Sequence, residues 1–157
     1  MLKKVVKNKA KLVKGHRIAI VASRYNSKYV DSMLRAAKKE LAQSQVSIEI
    51  VRVPGAFEIP TVASALALRL SKPVEAIICL GVIIRGETTH AEHIGNSVTN
   101  ALMQLQVDHV LPVVHEVLLL ENIDQARQRC LAGTCNRGLE AARTAIEMVR
   151  IMGRLTA

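Results

Sequence analysis

Aromatic side chains are nearly absent. The 157-residue chain has no tryptophan, and its only aromatic residues are Tyr25, Tyr29 and Phe57. Half of the residues are hydrophobic, so the core has to be aliphatic. With so few rings, the chain offers no stacking platform for single-stranded nucleic acid. It also lacks a recognition-helix or zinc-finger signature. No apolar run approaches the ~18 residues of a membrane span. Cysteine is scarce and odd in number (Cys79, Cys130 and Cys135), and no two are spaced C-x-x-C. That excludes a disulfide framework and points to reduced thiols in a cytoplasmic protein. A chain of this length fits one domain and buries roughly 70% of its unfolded surface, so neither disulfides nor metal are needed to hold it.

Acidic residues are outnumbered, and the formal net charge is +9. Six of the lysines fall in residues 1–14, "MLKKVVKNKAKLVK", which contain no acid; without them the excess is +3. Residues 1–15 therefore read as a basic N-terminal arm and 16–157 as a single domain. The arm lacks the apolar stretch of a secretory signal and is rich in lysine where a mitochondrial presequence is rich in arginine. A solvated tail or edge strand accounts for it better than nucleic-acid binding does.

The rest alternates between two periods. "RIAIVAS" (17–23), "VSIEIVRV" (46–53), "EAIICLGVI" (75–83) and "DHVLPVVHEVLL" (108–119) read as strands. The third shows no polar alternation, as in a parallel strand buried on both faces. Pro112 suggests an edge position for the fourth. Helical spacing of apolar residues marks 27–44 (Val30, Met33/Leu34, Ala37, Leu41) and 90–106 (Ile94, Val98, Ala101/Leu102, Leu105). A helix over 58–71 tolerates Pro60 in its first turn, and two more helices span about 122–131 and 137–153. Strand and helix alternate four times, which predicts an α/β fold: a three-layer αβα arrangement with a four-stranded parallel sheet, flavodoxin-like. Ligands of such folds bind outside the carboxyl ends of the strands.

The chemical residues cluster at those ends: "SRYNS" follows strand one, "PGAFE" strand two and "RGETTH" strand three, while His115 and Glu116 interrupt strand four. In "RGETTHAEH", Gly86 permits a close backbone approach to a ligand. Thr89-His90-Ala91-Glu92 matches a capping box, so a helix start with free amides lies there, suited to an anion. Arg85 either grips that anion or pairs with an acid. His90 is a proton-transfer candidate or a plain surface residue. His90 and His93 around Glu92 miss the H-x-x-E-H zinc spacing by one residue, so no metal is expected. Glu58 either caps the next helix or accepts from a ligand N–H, beside Phe57. Tyr25 either stacks on a planar ligand or fills the core, and Asn26 and Ser27 are cap candidates. Arg129 and Arg137 are phosphate candidates or solvated helix residues.

Taken together, "SRYN", "VPGAFEIP", "GVIIRGETTH", "ENIDQA" and "NRGLEAARTAIEM" resemble the lumazine synthase family in order and spacing, over about residues 16–153. The resemblance implies condensation of 5-amino-6-(D-ribitylamino)uracil with 3,4-dihydroxy-2-butanone 4-phosphate, giving 6,7-dimethyl-8-ribityllumazine, phosphate and water, without cofactor or metal. It implies that Tyr25, Ala56, Phe57, Glu58, the backbone of Val82, Ile83 and Ile84, and His115 hold the pyrimidine and ribityl groups. Glu87, Thr88 and Arg129 would hold the phosphate, Arg137 would be a further contact, and His90 would be the acid/base. It implies a homo-oligomer with sites between subunits, His115, Arg129 and Arg137 coming from the neighbour, either a ring of five or a sixty-subunit shell, with riboflavin synthase as a partner and neither nucleic acid nor membrane. The chain departs from the family pattern at His115 (usually phenylalanine), Glu116 (glycine), Leu119 (threonine) and Arg137 (lysine), and "HAEHI" stands for H-F/Y-D-Y-V. The alternative readings are a non-catalytic flavin or lumazine scaffold and a flavodoxin-like nucleotide binder; the latter is disfavoured because no G-x-G-x-x-G follows strand one.

Overall fold

A computed structural model describes residues 15–157; residues 1–14 of the predicted arm lie outside the described residues. Four strands form one parallel sheet in the order β2-β1-β3-β4: β1 Arg17–Ser23, β2 Ser47–Val53, β3 Ala76–Ile84 and β4 Val113–Leu120. Helices α1 (Ser27–Ala42), α2 (Ile59–Leu68), α3 (His90–His109), the single turn α4 (Ile123–Ala126) and α5 (Arg137–Leu155) connect and cover the strands. The predicted α/β three-layer architecture is observed.

Pattern and burial agree closely. β1 and β3 are central, and all but their terminal residues are buried. Apolar side chains on both faces are what such strands require. On one face, Ile18, Ile20, Ile78 and Leu80 pack with Val30, Met33 and Leu41 of α1 and Ala142, Ile146 and Val149 of α5. On the other, Ala19, Val21, Ile77 and Cys79 meet Ile59 and Ala63 of α2 and Val98 and Leu102 of α3. Small residues let α5 come close to α1. At Gly138 a Cβ would run into the backbone carbonyl of Met33.

Two boundaries and one face differ from expectation. Residues 108–112 do not begin β4. Helix α3 runs to His109 and ends where Val110 takes a left-handed conformation (φ 50°), because Pro112 cannot donate to a ladder and the strand begins after it. Ala101 is exposed, and Gly95 takes its share of the α3 core face. The predicted helix over 122–131 is one α-turn followed by a π-helical turn, Arg127–Leu131, a distortion often found at functional sites.

Candidate active site

Backbone hydrogen bonds bring the strand ends together. The amides of Arg24 and Tyr25 donate to the carbonyls of Val53 and Pro54 (2.8 and 3.0 Å), which seats the loop after β1 beside the Pro-Gly turn after β2. Asn26 sits in the left-handed region (φ 55°) and does not cap α1 through its side chain. Its Nδ2 instead donates to the Val82 carbonyl at 2.7 Å, which ties the first loop to β3. Sequence reasoning gave Asn26 only a capping role; a tie to a distant strand leaves no local signal.

The result is a cleft of about 710 Å³ outside the carboxyl ends of β1, β2 and β3. Tyr25, Ala56, Phe57, Glu58, Val82, Ile83, Ile84, Thr88 and His90 all line it, together with Gly86. Tyr25 is 73% and Phe57 61% exposed, so two of the three aromatics face this opening and do not fill the core. Glu58 makes no side-chain cap on α2; it accepts from the Gly55 amide (2.8 Å) and so closes the turn just before that helix, while the residue still borders the cleft. Ala91, His93, Ile94 and Ser97 complete the wall from the first two turns of α3. His93, Ile94 and Ser97 stand at i+3, i+4 and i+7 from His90, the helical spacing that would have found them.

The start of α3 differs from the predicted capping box. Thr89 makes no side-chain cap, and the His90 amide lies 3.4 Å from Thr88 Oγ1. Glu92 is drawn away by Arg85, whose guanidinium spans Glu92 (2.9 Å) and Glu121 (3.2 Å). Arg85 is therefore an ion-pair partner that pins the 85–90 loop to the end of β4. The amides of Glu92 and His93 donate to the Thr89 carbonyl (3.1 and 3.2 Å), so what the start of α3 offers an anion on the cleft side is the positive end of the helix dipole. Glu87 is exposed and does not line the cleft.

His115, Arg129 and Arg137 lie elsewhere. With Glu116 and Gln125 they line a second hollow of about 230 Å³ along β4, an edge strand of the sheet. His115 Nε2 is 2.8 Å from Thr99 Oγ1, which donates to the Gly95 carbonyl, and its Nδ1 accepts from the Val117 amide. That pattern suits a neutral ring with the proton on Nε2. Burial pushes its pKa down, opposed by a backbone hydrogen bond. Asn136 fixes the other wall: its Oδ1 accepts from the Gly138 amide (2.9 Å) and its Nδ2 donates to the Cys130 carbonyl (2.5 Å). The turn bearing Arg129 is thereby tied to the start of α5. Among the described residues no three His, Cys, Asp or Glu side chains gather as metal ligands, and no helix is long and apolar enough to cross a membrane.

A cleft at the carboxyl edge of a parallel sheet, beside a helix start, is where α/β enzymes of this architecture commonly bind small molecules. The chain belongs to the 6,7-dimethyl-8-ribityllumazine synthase family, whose sequence pattern matches residues 15–153. It is 38% identical over 142 residues to the 6,7-dimethyl-8-ribityllumazine synthase of Stenotrophomonas maltophilia strain K279a, covering 88% of this chain and 90% of that protein. The protein of the same name from strain R551-3 gives the same identity and coverage.

Proposed function

We propose that the chain is a transferase that condenses 5-amino-6-(D-ribitylamino)uracil with 3,4-dihydroxy-2-butanone 4-phosphate, yielding 6,7-dimethyl-8-ribityllumazine, phosphate and water, the penultimate step of riboflavin biosynthesis. One observation carries the reading: three separate strand ends deliver Tyr25, Ala56–Glu58, Val82–Ile84, Thr88 and His90 to a single cleft. Tyr25 and Phe57 provide flat apolar walls for the pyrimidine, and Glu58 accepts from a donor on the ring or the ribityl chain. Thr88, Glu87 in the same loop and the positive end of α3 receive the phosphate. The substrate amine is itself the nucleophile, so the protein needs no covalent catalyst. His90 takes and returns the protons as the 5-amine adds to the ketone with loss of one water, phosphate is eliminated to leave an enol that becomes a second carbonyl, and the ribitylamino nitrogen closes the ring on that carbon with loss of a second water. Holding two small molecules in one cleft makes their encounter effectively intramolecular, and one acid/base adds about 10²–10⁴-fold.

The hollow carrying His115 and Arg129 completes the cleft of an adjoining copy: His115 covers the ring and Arg129 takes the phosphate. Support comes from the open edge of β4 and from exposed apolar residues such as Leu70 (97%), Val107 (63%) and Val110 (71%), which a second copy would cover. A ring of five, alone or as the unit of a sixty-subunit shell, is the assembly we favour, in the cytoplasm, with riboflavin synthase as the enzyme that takes the product. The test is turnover with both substrates, followed by lumazine absorbance. His90→Ala should lose about 10²–10⁴-fold in kcat with its fold and substrate binding kept, since the side chain is exposed. Undiminished turnover in that variant would remove His90 from the chemistry.

A further inference from the structure

The second hollow contains a charge arrangement that phosphate binding alone does not explain. Glu116 is 4% exposed, and its side chain points from β4 toward α5. Arg137 meets it with two nitrogens, Nε to Oε2 and Nη2 to Oε1, both at 3.0 Å. The third nitrogen, Nη1, goes to Glu140 at 2.6 Å. The whole guanidinium fork is thus held by two carboxylates. Arg129 lines the same hollow, and among the described residues it forms no salt bridge with an acid. We propose that Glu116 is a positioning and specificity residue of this half-site: it holds Arg137 away from the phosphate and leaves Arg129 as the guanidinium that binds it.

The inference rests on the reading that a phosphorylated substrate lies against Arg129. A bidentate pair with a buried carboxylate is the strongest geometry open to a guanidinium; three of the five N–H donors of Arg137 are engaged by Glu116 and Glu140, and its charge is offset by two carboxylates, so it is the poorer of the two guanidiniums for an anion. Glu116 also sets the field in the hollow, because its charge opposes that of an incoming phosphate. The groups facing it are Arg137 and Glu140 on α5 and Arg129 and Cys130 on the π-helical turn. Burial pushes the Glu116 carboxyl up to about 7, against the pull of Arg137. The field therefore changes near neutral pH. Below that point Glu116 is neutral and the hollow more positive; above it the carboxylate returns and anion binding weakens.

The experiment measures sulfate and orthophosphate binding to the assembled protein by calorimetry, with KM and kcat for the phosphorylated substrate in parallel. Sulfate keeps its charge across the range, so it isolates protein titration. At about pH 8, Glu116→Gln should tighten both anions about fivefold and lower KM with little change in kcat. Glu116→Gln/Arg137→Met restores the charge count and should return affinity to within about twofold of the starting protein. The starting protein should bind sulfate more weakly as pH rises through about 7, and the Glu116→Gln variant should lack that step. Unchanged or weaker anion binding in Glu116→Gln would overturn the proposal. So would a double variant far weaker than the starting protein, which would mean that Arg137 itself grips the anion. If no condensation occurs in any variant, the proposed function fails, while the sulfate series still decides the role of Glu116.

Discussion

Asn136→Ala should destabilise the protein by about 2–4 kcal/mol. Two losses add. The side chain is 6% exposed, and its Oδ1 caps α5 through the Gly138 amide at 2.9 Å; removing such a cap costs about 1 kcal/mol. Its Nδ2 also satisfies the buried Cys130 carbonyl, and orphaning that group costs about 1–3 kcal/mol more. For a chain of this size each kcal/mol moves Tm by about 2–4 °C, so Tm should fall by roughly 4–16 °C. Thermal unfolding at fixed protein concentration is the assay, since assembly makes Tm depend on concentration. Asn136→Ser keeps an acceptor for Gly138 but cannot reach Cys130, and should recover about 1 kcal/mol. The same loosening frees the turn that carries Arg129, so KM for the phosphorylated substrate should rise more than kcat falls. A Tm for Asn136→Ala within about 1 °C of the parent would refute the reasoning, because it would show that neither bond is needed.

The buried acid and the thiols give two further outcomes. Because the folded state raises the Glu116 carboxyl to about 7, above its usual 4.5, its stabilising neutral form is fully present below about pH 4.5 and lost as pH climbs through 7. Relative to Glu116→Gln, the parent should therefore lose up to about 3 kcal/mol of stability from pH 4.5 to 8 in denaturant titrations; parallel stability curves would contradict this. Burial pushes the Cys79 thiol far up and the Cys130 thiol up to about 11, whereas Cys135 is only half-buried. A thiol reagent at about pH 8 should modify Cys135 first and the other two only on unfolding; three equally fast thiols would show the core to be open.

The alternating periods made the fold legible, and they did so because the core is aliphatic and local. Val30, Met33, Ala37 and Leu41 line one stripe of α1 and are buried as spaced. Strand ends named the cleft, because a parallel sheet exposes all its carboxyl termini on one edge. Long-range polar partners were not legible. Arg85 spans from Glu92 to Glu121, and Asn26 reaches the Val82 carbonyl across 56 residues of sequence. Such pairs follow from the packing of elements and carry no periodicity. The split of the site had the same cause. His115 alternates onto the α3 face of β4, where Thr99 holds it, and Arg129 is carried by a π-helical turn that reads as ordinary helix. In single-sequence patterns both look like members of the same cluster as His90, yet they line a different hollow.

The central claim is that a phosphate ester rests against Thr88 and the positive end of α3, within reach of His90. Crystals soaked with orthophosphate test it most directly. The predicted result is one ion against Thr88 and the first turn of α3, contacted from an adjoining copy by Arg129. An ion bound only at other basic surfaces, with this cleft free of it at saturating concentration, would contradict the account.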